Sequence, residues 1–129
     1  MELNLKMRER AKAFFKDGKL ALVLKLKLPF AECENEAFSS RFNGFYEELY
    51  KCYVSECERR LKERCEMARS VSLTVECEEK HAPVGAIFIT RSHKLRLKSG
   101  ESAAFLSLDA FDVATGLLLK TKRNLKTLT

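Results

Sequence analysis

Nowhere in this sequence do the roughly eighteen consecutive apolar residues of a membrane span occur, and its opening, MELNLKMRERAKAFF, mixes charges where a secretory signal carries its apolar stretch. The expected location is the cytoplasm as the chain is written, and outside the membrane if a leader has been removed. Proline and glycine are scarce, at two and five residues, and no low-complexity tract is present, so the composition specifies an ordered chain rather than a linker. There are only two histidines, His81 and His93, and no Cys-x-x-Cys pair. The five cysteines (Cys33, Cys52, Cys57, Cys65 and Cys77) are an odd number, three of them inside one predicted helix, which makes a poor disulfide framework. The C-x4-C and C-x7-C intervals among Cys52, Cys57 and Cys65 are not the usual zinc spacing, so packed, reduced thiols are expected and no metal is assigned. A phosphate-cradling glycine loop, a His-Glu zinc helix and a serine elbow are all missing. No cofactor and no catalytic residue is assigned, and the chain is expected not to be an enzyme.

What is present fits one soluble domain over residues 1–129, with 46% hydrophobic and 33% charged residues. The net charge of +6, from 24 Lys and Arg against 18 Asp and Glu, permits an anionic partner. Acids and bases are nevertheless mixed along most of the chain, where nucleic-acid modules concentrate their charge on one element.

Hydrophobic periodicity divides the chain. Residues 2–15 carry apolar side chains at Leu3, Leu5, Met7, Ala11, Ala13 and Phe15, a period of two interrupted at Glu9, which reads as a strand. KDGK supplies the Asp-Gly pair of a tight hairpin. LALVLKLKLPF follows, with Leu20, Leu22, Leu24, Leu26 and Leu28 on one face, Lys25 and Lys27 on the other, and Pro29 closing the strand or marking an edge. From Asn35, a plausible cap, the spacing changes to three and four: Phe38, Phe42, Phe45, Leu49, Cys52, Tyr53, Cys57, Leu61, Cys65 and Ala68 form the apolar stripe of a helix of about thirty residues. Gly44 allows a kink or a staggered start. After Ser70 the period of two returns in SVSLTVEC, in AIFITRSHKLRLK and in AAFLSLDAF, with EEKHAPVG as a loop and LLLKTK as a last short segment. The predicted architecture is α+β: one long amphipathic helix packed on an antiparallel sheet, in the order β-β-α-β-β-β.

DVATG, between two apolar alternating runs, reads as a corner with Gly116 in the left-handed position and with Asp112 and Thr115 bonding local amides. The FDVATG motif also resembles the F-D-x-x-T-G near the end of a bacterial domain of unknown function, found in the extracytoplasmic part of a lysozyme-sensing anti-sigma factor and beside peptidoglycan deacetylase domains. LKLPF resembles that family's proline-ended strand and RFNGFYEEL its Ile-Asn-aromatic helix start, and the order of elements is also similar, so the likeness covers most of the chain. Many members carry Gly-Gly-Ala-His before the corner, where this chain reads SHKLRLKSGES, and no role of that stretch is carried over. The resemblance implies a binding or sensing domain of the cell envelope, with a protein or a peptidoglycan-type polymer as partner.

The densest polar run is TRSHKLRLKSG. Alternation places Lys94, Arg96 and Lys98 on one face of a strand, and Arg91 and His93 on the other with Leu95 and Leu97. These five are the candidate binding residues: the three cations can meet phosphates or an acidic partner, or can be a solvated face that discourages edge pairing. A cytoplasmic binder of nucleic acid or another polyanion is the alternative function. ERRLKER carries its own acids and reads as solvent face. No spacing supports a Cys-His dyad, and Asp109 and Asp112, three apart at a strand end, face different ways.

Overall fold

The computed structural model describes residues 4–62, 70–80 and 85–128. Its elements are β1 (Asn4–Lys16), β2 (Lys19–Glu32), α1 (Glu36–Lys62), β3 (Ser70–Lys80), β4 (Ala86–Leu97), β5 (Ser102–Asp112) and β6 (Leu118–Leu128). The α+β class and the β-β-α-β-β-β order hold, with one strand more at the end. The six strands form one sheet in chain order, antiparallel throughout except between β2 and β3, which run parallel because α1 carries the chain back between them.

The core lies between α1 and one face of the sheet. Leu22, Leu24, Leu26 and Leu28 of β2 are buried there, with Leu73, Val75 and Cys77 of β3 and Ile87, Ile89 and Leu95 of β4. Asp17 and Gly18 both have positive φ, 53° and 77°, and close the two-residue hairpin that the Asp-Gly pair foretells. β3 runs on through Glu78, Glu79 and Lys80, three residues that the sequence assigns to a loop.

On β1 the expected Leu5 and Met7 are half-buried against the core, but from Arg8 onward the sequence picks the wrong face. Its register pairs Arg8 with Leu28, Arg10 with Leu26, Lys12 with Leu24 and Phe14 with Leu22, so the even-numbered residues share the leucines' face. Phe14 is buried, whereas Phe15 is 64% exposed and Ala11 and Ala13 face solvent. The cations stay on the covered side by lying on rings: Arg8 over Phe30 at 3.4 Å, Arg10 over Tyr50 at 3.5 Å and Lys12 over Phe14 at 5.5 Å. At the hairpin end Leu20 is exposed as well.

α1 spans 27 residues, about 40 Å, and runs unbroken through Asn43 and Gly44. Phe38, Phe42, Tyr46 and Cys57 are buried, and Phe45, Leu49, Tyr53 and Leu61 are half-buried. Cys52, assigned to the stripe, is exposed: at about 100° per residue it falls roughly 80° from Phe42, at the stripe's margin. Leu3, Cys65, Ala68 and His81 lie outside the described residues. The four described cysteines are unpaired thiols. No described helix is long and apolar enough to cross a membrane.

The Asp112–Gly116 corner clamps the start of the helix. Asp112 Oδ2 accepts from the Thr115 amide at 3.2 Å and from its hydroxyl at 2.6 Å, and the Gly116 amide closes the turn on the Asp112 carbonyl at 2.7 Å. Asn35 caps α1 by accepting from the Phe38 amide at 3.1 Å, and it donates to the Ala114 carbonyl at 2.7 Å. Arg41 donates to the Thr115 carbonyl at 3.0 Å. Just ahead of the corner, the Phe111 ring packs against Phe42 and Phe45 at 4.8 and 5.3 Å. The motif that carries the resemblance is thus a structural corner.

Candidate functional site

Strand alternation and hairpin register bring opposite charges together beneath α1. Arg91 pairs with Ser107 and Ile89 with Asp109, so Arg91 and Asp109 are diagonal neighbours on the covered face, and Thr121 stands directly opposite Asp109. Tyr46 and Tyr53, two helical turns apart, reach down from the same side of α1.

Asp109 is fully buried and accepts four hydrogen bonds. Oδ2 takes Arg91 Nε at 2.7 Å and the Tyr46 hydroxyl at 2.9 Å, while Oδ1 takes Arg91 Nη2 at 3.0 Å and the Thr121 hydroxyl at 2.7 Å. These fill the lone-pair sites of the carboxylate. Arg91 Nη1 donates to the Tyr53 hydroxyl at 2.7 Å, and that hydroxyl lies 2.5 Å from His93 Nε2. His93 Nδ1 is 3.4 Å from the Phe105 carbonyl, and its ring stacks on Phe105 with centroids 4.2 Å apart. The result is a chain of dipoles running from Asp109 through Arg91, Tyr53 and His93 to the backbone of β5.

This chain floors a cleft of about 470 Å³ between the second half of α1 and β3–β6, walled by Leu49, Leu73, Leu95 and Phe105, with Cys52 and Glu56 at the helix side. Its protons are held firmly. Burial, then the Asp109 charge, raises Tyr46 far above the ordinary phenol range. Burial pushes Tyr53 up to about 12 against the opposing pull of Arg91. It likewise pushes the thiols up, Cys57 to about 11 and Cys77 to about 12. For Arg91 burial works against the charge, but the hydrogen bonds to Asp109 and the charges around it outweigh burial and raise it.

An alkaline limit follows. These phenols and thiols bind protons more tightly in the folded chain than at their ordinary 10.0 and 9.0, so their contribution is complete below about pH 9 and is withdrawn above it. Urea midpoints measured in reductant should hold level to about pH 8.5. Beyond pH 9 they should fall, as the unfolding free energy drops by up to about 1.4 kcal/mol per pH unit for each group ionised only when unfolded. A level profile through about pH 11 would contradict the burial of these groups.

The five candidate residues therefore do not form one site. Arg91 and His93 are buried in the network, 8% and 3% exposed, while Lys94 and Arg96 face solvent on the opposite side of the sheet. Lys98 lies beyond β4, in the turn closed by the Leu97 and Glu101 backbones, so it is not part of a strand stripe. On the open face Lys25 and Lys94 flank Thr74 in one cross-strand row, which gives Lys94 and Arg96 a cationic neighbour. Asp109 and Asp112 serve different structures, one the network and the other the corner.

Sequence reasoning missed Tyr46, Thr121 and the role of Asp109, and placed Tyr53 only as core. The available signal was a pair of opposite charges, Arg91 and Asp109, each interrupting the apolar face of its strand on either side of one hairpin. Among the described residues no three His, Cys, Asp or Glu side chains converge as metal ligands. The sequence matches no protein-family model and no curated protein.

Proposed function

We propose that the chain is a non-catalytic recognition domain whose cleft between α1 and β3–β6 receives part of a protein or of a cell-wall polymer. One observation carries this reading: Asp109, Arg91, Tyr53, His93 and Thr121 are all committed to partners within the protein, and burial holds the Tyr53 phenol protonated. Such a floor offers fixed polar groups and an apolar wall, the equipment of selective binding. The resemblance of FDVATG, LKLPF and RFNGFYEEL to the envelope-associated domain supplies the class of partner and favours a setting outside the membrane.

The test is retention of the full chain on purified peptidoglycan and on immobilised lysozyme at low and physiological salt, with Cys52→Trp as the cleft-blocking variant, chosen because Cys52 is exposed at the cleft's side. Salt-resistant retention that the variant loses supports the reading. Retention unaffected by Cys52→Trp rules out the cleft.

The row of Lys25 and Lys94, with Arg96 beside it, favours a second reading, a polyanion binder acting through the open sheet face. That reading expects retention on mixed nucleic acid that collapses as salt rises and is abolished in Lys94→Glu/Arg96→Glu.

A further inference from the structure

Gly44 poses a problem that the fold of the monomer does not solve. Glycine inside a helix costs about 1 kcal/mol relative to alanine, yet here neither conformation nor packing demands it. Its φ is not in the left-handed region, and a β-carbon built on it meets nothing within 4 Å. The missing side chain leaves open a groove of about 650 Å³ between the first half of α1 and the edge strand β1, which Arg8, Arg10, Leu28, Phe30 and Glu47 also line.

The two arginines of this groove differ. Arg10 is satisfied, paired with Glu47 at 2.8 Å and lying on Tyr50. Arg8 is exposed and lies over Phe30, with its guanidinium carbon 3.4 Å from the ring centre, and no acceptor among the described residues bonds to it. A stacked guanidinium is held in orientation while its donor edge stays free, the geometry that takes a carboxylate through two parallel bonds. Lys12, about 13 Å along the same face, likewise has a ring and no acid. β1 is the first strand of the sheet, 13 residues long and bonded only to β2, so its outer amides and carbonyls lie open. It carries five basic residues, Lys6, Arg8, Arg10, Lys12 and Lys16, against Glu9 alone, a charge that opposes pairing with a second copy of itself.

We propose that an extended acidic peptide of a partner protein adds to β1 as a seventh strand. One of its carboxylates enters the fork of Arg8, a second acid four residues away meets Lys12, and its helix-side residues pass over Gly44. Backbone bonds supply the attachment, and the Arg8 and Lys12 positions supply the selection. Gly44 is the clearance that the added strand requires. This surface is separate from the cleft, so its failure leaves the cleft reading standing.

The experiment is an amide NMR titration of the full chain with a synthetic nine-residue peptide of valine and threonine bearing glutamate at two positions four apart, and with its counterpart bearing lysine there. The acidic peptide should shift amides of β1 and of the helix around Gly44, and the lysine peptide should not. Arg8→Ala should weaken binding about tenfold or more. Gly44→Leu should abolish it while leaving the thermal midpoint no lower, since leucine is the better helix former. Equal response to both peptides, shifts confined to the Lys94 and Arg96 face, or binding indifferent to Arg8→Ala and Gly44→Leu would each overturn the proposal and leave the cations of β1 as a guard against edge pairing.

Discussion

Replacing Asp109 with alanine should lower stability by about 3–5 kcal/mol, the cost of breaking a buried ion pair from one side. The substitution strands the Arg91 guanidinium, 8% exposed, without its counter-charge, and it removes the acceptor of the Tyr46 and Thr121 hydroxyls. Most of the loss therefore comes from the partners left behind. Arg91→Met should cost a similar amount. The double variant Arg91→Met/Asp109→Leu should lose clearly less than the two singles added together, because a buried pair exchanged for apolar side chains sheds its desolvation penalty along with its attraction. Urea denaturation of the four proteins measures this. A loss under about 1 kcal/mol in Asp109→Ala would show that water reaches Arg91 and that the pair is not an interior feature.

Gly116→Ala should cost about 2–4 kcal/mol, from two causes that a control can separate. Gly116 has φ 76°, where a β-carbon carries about 1–3 kcal/mol of strain. A β-carbon there would also lie 2.8 Å from both the α-carbon and the carbonyl oxygen of Phe38, and backbone atoms at the start of α1 cannot swing aside. Gly18 has nearly the same φ, 77°, but open space around it. Gly18→Ala should therefore show the conformational cost alone, about 1–3 kcal/mol and less than Gly116→Ala. If the two substitutions cost the same in thermal or urea unfolding, the corner does not press on the helix as described.

The contrast between these glycines shows how far the sequence could be read. Asp17-Gly18 and Asp112–Gly116 were both legible as turns, because positive φ is a local demand and glycine is its local answer. That the second corner also docks against Phe38, with Asn35 and Arg41 bonded to it, was not legible, since those partners lie 74 to 79 positions away in the chain. The second half of β1 was misread for a related reason. Its odd-numbered residues are the more apolar, but an edge strand takes its face from its neighbour. The buried leucines of β2, Leu22 to Leu28, turned Arg8, Arg10 and Lys12 toward the helix side, where Phe30, Tyr50 and Phe14 offer them rings.

The candidate site divides along the same line. Alternation in β4 alone determined that Arg91 and His93 face one way and Lys94 and Arg96 the other, and the structure keeps that division. By itself the sequence also determined the class, the order of the first six elements, the face of β2 from Leu22 to Leu28 and the Phe38, Phe42, Phe45 and Leu49 part of the α1 stripe, all of them consequences of period and of turn chemistry within a few residues. Only the tertiary structure decided that Arg91 meets Asp109, that Tyr46, Tyr53 and Thr121 complete the network, and that a cleft opens over it. Those contacts join β4, β5, β6 and α1 across separations of up to 63 residues. Their energy depends on register, burial and the loss of water around a charge, quantities that exist only once the sheet and helix are packed together.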